Sequence, residues 1–116
     1  MQTDTLSAAL SALADPTRRG ILAQLAGGDA TVTELAAPYT MSVAAVSKHI
    51  KVLEGAGLVS RGKDAQKRPC HLEAAPLRAV SAWLVDYERF WVRSVGRLEE
   101  HLKTMQRRTR APKRKS

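Results

Sequence analysis

The chain has 116 residues, 44% hydrophobic and 26% charged, a length and balance that fit one domain with a modest core. It lacks a run of about 18 apolar residues, and its opening "MQTDTLSAAL" lacks the charged and apolar regions of a secretory signal, so no membrane partner and a cytoplasmic location are expected. A single cysteine, Cys70, excludes an internal disulfide and a multi-cysteine metal cluster, while the net charge of +8 leaves nucleic acid as a partner to be weighed by where the charge lies.

Leu6, Ala9, Leu10 and Leu13 recur at helical spacing and predict a short first helix. In "LADPTRRGILAQLAGG" the chain restarts: Asp15 suits an N-cap, Pro16 the first helical position, and Gly27-Gly28 the end. Ile21, Leu22 and Leu25 supply the buried face of this second helix. A third, of about two turns, lies in "TVTELAAPYT", opened by Thr31 or Thr33 and closed before Pro38.

"MSVAAVSKHIKVLEGAGLV" holds the fourth helix, with Ser42 as N-cap and Gly55 and Gly57 as stop signals. Val43, Val46, Ile50 and Leu53 fall on one face and are expected in the core. The opposite face carries Ala44, Ser47, Lys48 and Lys51, short or cationic residues without a Glu or Asp among them. Next, "LVSRGK" and "RPCHLE" are two extended runs around the polar stretch "DAQK", a hairpin with Arg61, Lys63, Lys67 and Arg68 clustered towards its loop. Leu58, Val59, Cys70 and Leu72 are expected to face inward, and Pro69 restricts its strand to an edge.

From Pro76 to about Met105 the pattern is helical again, with Leu77, Leu84, Trp91, Leu98 and Met105 every seven residues. Val80, Trp83, Tyr87, Phe90, Val95 and Leu102 widen the stripe. Some thirty helical residues reach roughly 45 Å, more than so small a domain can cover alone. Four of the five aromatic residues (Trp83, Tyr87, Phe90 and Trp91) sit here, which fits an interface with a second copy; an intrachain core is the plainer alternative. The expected organisation is therefore a domain over 1–105 followed by a basic, disordered tail over 106–116. The tail holds Arg107, Arg108, Arg110, Lys113, Arg114 and Lys115; removing those six leaves thirteen basic residues against eleven acids.

A short helix, a tight turn, a helix with a cationic outer face and a basic hairpin together form a winged helix-turn-helix layout, mainly α with a small β-hairpin. Its second helix enters the major groove of double-stranded DNA. Ala44 and Ala45 let the backbone approach base edges, Ser42 and Ser47 can donate to bases or phosphates, and Lys48 and Lys51 can reach guanine or phosphate. His49 projects near the apolar side and is assigned to packing or a phosphate contact. Arg61, Lys63, Lys67 and Arg68 would follow the backbone or enter the minor groove. The duller readings are that Ser42 only caps, and that the lysines and hairpin charges form a solvated surface.

These stretches resemble the ArsR family of bacterial transcriptional repressors: "ALADPTRRGILAQL", "TVTELA", the Ser47-to-Leu53 run with Ala56-Gly57-Leu58-Val59 behind it, and the basic hairpin. The resemblance implies a homodimer through the first and last helices, with Leu6, Leu10, Trp83, Tyr87, Phe90, Trp91, Leu98 and Leu102 at its interface. It also implies repression at a pseudo-palindromic operator, read by two recognition helices about one DNA turn apart. Where family members carry a metal-binding Cys-Val-Cys, this chain has Thr31 and Thr33, which cannot replace thiolates. At the family's second metal site Asp86 is present, but Glu88 and Glu99 stand where histidines are expected, and His101 is out of register. No metal, no cofactor and no enzyme activity are expected, and the inducer is unidentified. The alternatives are a winged-helix module for protein partners, or a sensor of this family with an atypical metal or redox site.

Overall fold

Local signals in the sequence place the helix ends. The computed structural model describes residues 4–63 and 67–114. Helix α1 (Thr5–Leu13) is capped by Asp4, whose carboxylate accepts from the Ser7 N–H at 3.0 Å. Helix α2 (Pro16–Ala26) is capped in the same way by Asp15, which accepts from the Arg18 N–H at 3.0 Å, with Pro16 in the first turn where its missing N–H costs nothing. Helix α3 (Val32–Ala36) opens at Thr31 rather than Thr33 through a capping box. The Thr31 hydroxyl accepts from the Glu34 N–H at 3.2 Å and the Glu34 carboxylate accepts from the Thr31 N–H at 2.9 Å.

Helix α4 (Val43–Gly55) starts at Ser42, whose Oγ accepts from the Ala45 N–H at 3.1 Å. It ends in a Schellman motif. Gly57, at φ 76°, donates to the Glu54 carbonyl at 2.9 Å, and Leu58 donates to the Leu53 carbonyl at 2.9 Å. Gly57 is the glycine this turn requires, because a left-handed φ is strained for a residue with a Cβ; Gly55 is simply the last helical residue. The motif buries Leu53 and Leu58 together and turns the chain into the hairpin of β1 (Val59–Arg61) and β2 (Cys70–Leu72). The strands are antiparallel, with Val59 opposite Leu72 and Arg61 opposite Cys70. Cys70 also exchanges backbone hydrogen bonds with Ala30, which ties the hairpin to the segment between α2 and α3.

The core combines Ile21, Leu22 and Leu25 of α2, Leu35 and Ala36 of α3, and Val46, Ile50 and Leu53 of α4 with Leu58, Val59 and Cys70. One residue assigned to it from the sequence is not there. Val43 is 49% exposed, because it stands in the first turn of α4, beyond the reach of the packed elements although its phase on the wheel is right. The result is a winged helix-turn-helix, mainly α with a two-stranded wing.

Helix α5 (Ala75–Arg114) begins against this core, where Leu77 packs on it. Packing divides the chain into two units, Met1–Ser81 and Ala82–Ser116. In the second unit the stripe residues Trp83, Tyr87, Phe90, Trp91, Leu98 and Leu102 are all exposed, and the Trp83 and Tyr87 rings meet edge to face with centroids 5.4 Å apart. The helical backbone runs on to Arg114, through residues that the sequence reading gave to a disordered tail. Arginine, lysine and glutamine are good helix formers, and they prolong the helix without prolonging the apolar stripe. Residues 1–3, Asp64, Ala65, Gln66, Lys115 and Ser116, and the side chains of Val95 and 108–114, lie outside the described residues. Among the described residues no helix is long and apolar enough to cross a membrane.

Candidate nucleic-acid interface

The amphipathic pattern of α4 decides which side chains it offers outward. Its inner face closes the core with Val46, Ile50 and Leu53. Ala44, Lys48 and Lys51 are exposed together on the opposite face, and Ala45 and Ser47 are half-buried at its margins. Val52, 45% exposed, completes this surface; its alternative as a core residue is lost because it sits opposite Ile50 on the wheel. No Asp or Glu interrupts the face. Glu54, at the far end, is held 3.9 Å from the Arg61 guanidinium.

Two of the residues assigned to DNA from the sequence point elsewhere. His49 is turned towards the start of α2, with Nδ1 3.4 Å from Arg18 and 3.8 Å from the Asp15 carboxylate. These polar contacts place the imidazole at the junction of α2 and α4. Arg61 is only 17% exposed at its side chain; its Nε donates to the Arg68 carbonyl at 2.9 Å and its guanidinium faces Glu54. It braces the wing against α4, because a β1 side chain at that register lies over the end of the helix instead of at the loop.

Lys63, Lys67 and Arg68 are exposed near the wing loop, as expected. Gly62 donates to the Pro69 carbonyl at 2.7 Å and closes the hairpin, and a Cβ there would stand 2.9 Å from the Pro69 ring. Arg68 adopts φ 39°, a left-handed conformation uncommon outside glycine. Cys70 on β2 is fully buried, and burial pushes its thiol above the usual range, the reverse of what a reactive thiolate needs. His71 is exposed and its Nδ1 lies 2.7 Å from the Asp29 carboxylate; that hydrogen bond, and then the charge of Asp29, raise the imidazole above its ordinary value. Thr31 is occupied as a helix cap, and Thr31 and Thr33 line a shallow cleft with Val32, Glu34, Arg61 and Lys67. Among the described residues no group of three or more His, Cys, Asp or Glu is placed to hold a metal ion.

A model of bacterial regulatory proteins of the arsR family matches residues 15–61, from the cap of α2 to the end of β1. The chain is 41% identical over 87 residues to the HTH-type transcriptional regulator Rv2034 of Mycobacterium tuberculosis, an alignment spanning 75% of this chain and 78% of that one. It shares 42% identity and a TM-score of 0.70 with the crystal structure of an ArsR family transcriptional regulator, covering 76% of this chain and 97% of the other. The chain belongs to the ArsR family. A further relative is the transcriptional repressor SdpR of Bacillus subtilis, 32% identical over 76 residues, which are 66% of this chain and 84% of SdpR. As an ArsR-family member the protein is a DNA-binding transcriptional regulator, and α3 and α4 are its helix-turn-helix. Sequence reasoning missed the exposure of Val43 and Val52; the signal for Val52 was its place opposite Ile50, in line with Ala45.

Proposed function

We propose that this ArsR-family protein acts as a homodimeric repressor that reads a pseudo-palindromic operator with α4. The observation that carries the reading is the exposed, acid-free face of α4 bearing Ala44, Lys48 and Lys51. In a major groove an ammonium can donate to guanine O6 and N7 or to phosphate, and the small residues let the backbone come close. The methyl groups of Ala44, Val43 and Val52 offer apolar contacts to thymine. Ser42 spends its lone pair on the cap, but its O–H remains free to donate to phosphate, and Ser47 can do the same. Lys63, Lys67 and Arg68 follow the flanking backbone, while Arg61 and His49 hold the reading elements instead of touching DNA.

The dimer is supported by the exposed apolar side chains of α1 and α5: Leu10, with Leu6 half-buried beside it, and the row Trp83, Tyr87, Phe90, Trp91, Leu98 and Leu102. Large contiguous apolar rows rarely face water in a monomer. Two-fold pairing supplies two α4 helices for two half-sites. Repression follows when such a dimer covers a promoter and blocks polymerase.

The test selects the best-bound duplex from a randomised pool and titrates it against a scrambled duplex across a salt series. Sequence-dependent binding that falls steeply with salt, with a two-fold symmetric footprint, is the expected result. Equal affinity for both duplexes, or none for either, would overturn it and favour a module that contacts proteins only.

A further inference from the structure

Arg18 has more work than its place on α2 requires. Its Nε donates to the Ala12 carbonyl at 2.7 Å and one terminal nitrogen donates to the Ser11 carbonyl at 3.2 Å, so it shares the capping of the carbonyl end of α1 with the Ala14 N–H, which also donates to Ser11, and with Arg19, which donates to the Leu13 carbonyl at 2.7 Å. The other terminal nitrogen lies 3.4 Å from Nδ1 of His49, in the middle of α4. An arginine can only donate, so this contact is a hydrogen bond in the tautomer that carries its ring proton on Nε2. One side chain thus joins the end of α1, the start of α2 and the helix that carries Lys48 and Lys51.

We propose that Arg18 is a positioning residue for α4, tying the C-terminal end of α1 to His49 and so setting the rotation of the DNA-facing surface; this rests on the reading of α4 as the recognition helix. The need for such a tie comes from the packing. Val46, Ile50 and Leu53 hold α4 inward by apolar burial, which resists separation but is non-directional. Rotation about the helix axis is better resisted by a hydrogen bond. Among the described residues, Arg18 and Asp15 make the polar contacts from the α1–α2 pair to α4, and both converge on His49.

The groups facing His49 are these two, one cationic and one anionic. Asp15 stays ionised because the Arg18 backbone N–H donates to it, which holds its carboxyl below the usual range. Arg18 and Asp15 thus hold the imidazole between a guanidinium at 3.4 Å and a carboxylate at 3.8 Å. The same residue pair carries the consequence to α1. A shift of α1 moves the Ser11 and Ala12 carbonyls, hence the guanidinium, hence His49 and its neighbour Lys48. Whatever alters the packing of α1 therefore has a direct route to the reading face.

The test uses the full chain and the duplex selected above, with R18Q, H49Q and H49K. Gln at 18 is too short to span the two carbonyls and the imidazole. R18Q is expected to bind the selected duplex about tenfold more weakly, with affinity for a scrambled duplex changed by less than about twofold. H49Q keeps an acceptor towards Arg18 and should bind within about twofold of the unmodified protein. H49K separates the tie from a phosphate contact. An ammonium against the Arg18 guanidinium weakens specific binding, whereas a direct contact to DNA would make it bind more tightly. In nitrogen NMR, R18Q should move the His49 Nδ1 resonance and the Ser47 and Lys48 amides while leaving that of Leu35 in place. The proposal is overturned if R18Q binds like the unmodified protein, if H49K binds more tightly, or if the His49 resonance does not move. Should R18Q lose its helical signal in circular dichroism, the two His49 variants decide. Failure of the unmodified protein to discriminate any duplex would sink the reading of α4, and the NMR arm would still decide the tie.

Discussion

Helix α4 and the second unit's stretch of α5 are both amphipathic, yet they leave opposite faces bare. In α4 the apolar side (Val46, Ile50 and Leu53) is consumed by the core and the polar, lysine-bearing side is left over. In α5 from Ala82 onward the apolar side itself is left over, with Trp83, Phe90, Trp91 and Leu98 all exposed. The leftover face states what each helix still needs. A cationic surface without acids seeks phosphate and base edges, whereas an aromatic row seeks another apolar surface. The same helical period, satisfied within the chain in one place and left unsatisfied in the other, separates the surface proposed for DNA from the surface proposed for self-association.

The sharpest way to break this comparison is to attack the consumed face of α4. Leu53→Ala removes a fully buried side chain at the Schellman turn and should cost about 2–5 kcal/mol of stability, read from urea unfolding. Val43→Ala, on the same nominal face but exposed, should cost about 0.5 kcal/mol or less. Equal losses would mean that Val43 is packed and that the outer surface of α4 is smaller than described.

The bare row of α5 is tested next. Trp91→Ala should weaken self-association by about 2 kcal/mol, measured by sedimentation equilibrium, with the helical content kept. A sedimenting monomer of the unmodified chain would contradict the assignment of that row. Ser42→Ala should cost about 1 kcal/mol through the lost cap on α4.

The smallest effect concerns Asp29→Asn. Asp29 raises the folded-state value of His71, so the pair stabilises the fold below the ordinary value of 6.5, and this contribution fades as pH rises through the raised one. The variant should therefore melt slightly lower than the unmodified protein in acid and identically in mild alkali. Both groups are exposed, so the difference is small and should shrink further with added salt.

Where local chemistry determines an element, the sequence was a sufficient guide. Asp15-Pro16, Ser42 and Gly57 mark helix ends through bonds made within a few residues, and those ends stand where the residues predict. The outer face of α4 was legible for the same reason, since periodicity assigns phase. Depth is another matter. Val43 has the phase of a core residue but lies at a protruding end, and no wheel distinguishes the two. The inward turn of Arg61 depends on Glu54 and the Arg68 carbonyl, and the role of His49 depends on Arg18, a residue 31 positions away. Such contacts exist only after the chain has folded. The continuation of α5 beyond Met105 escaped because charged residues can form helix without any apolar stripe to announce it.

The most direct test of the α4 assignment is Lys48→Ala in a mobility-shift titration of the selected operator at several salt concentrations. A base-reading lysine predicts a loss of about 1–3 kcal/mol for the operator, with relaxed specificity at one position; a phosphate contact predicts a uniform loss and a salt slope lower by about one. A folded, dimeric Lys48→Ala protein that binds the operator with unchanged affinity and salt slope would contradict the account.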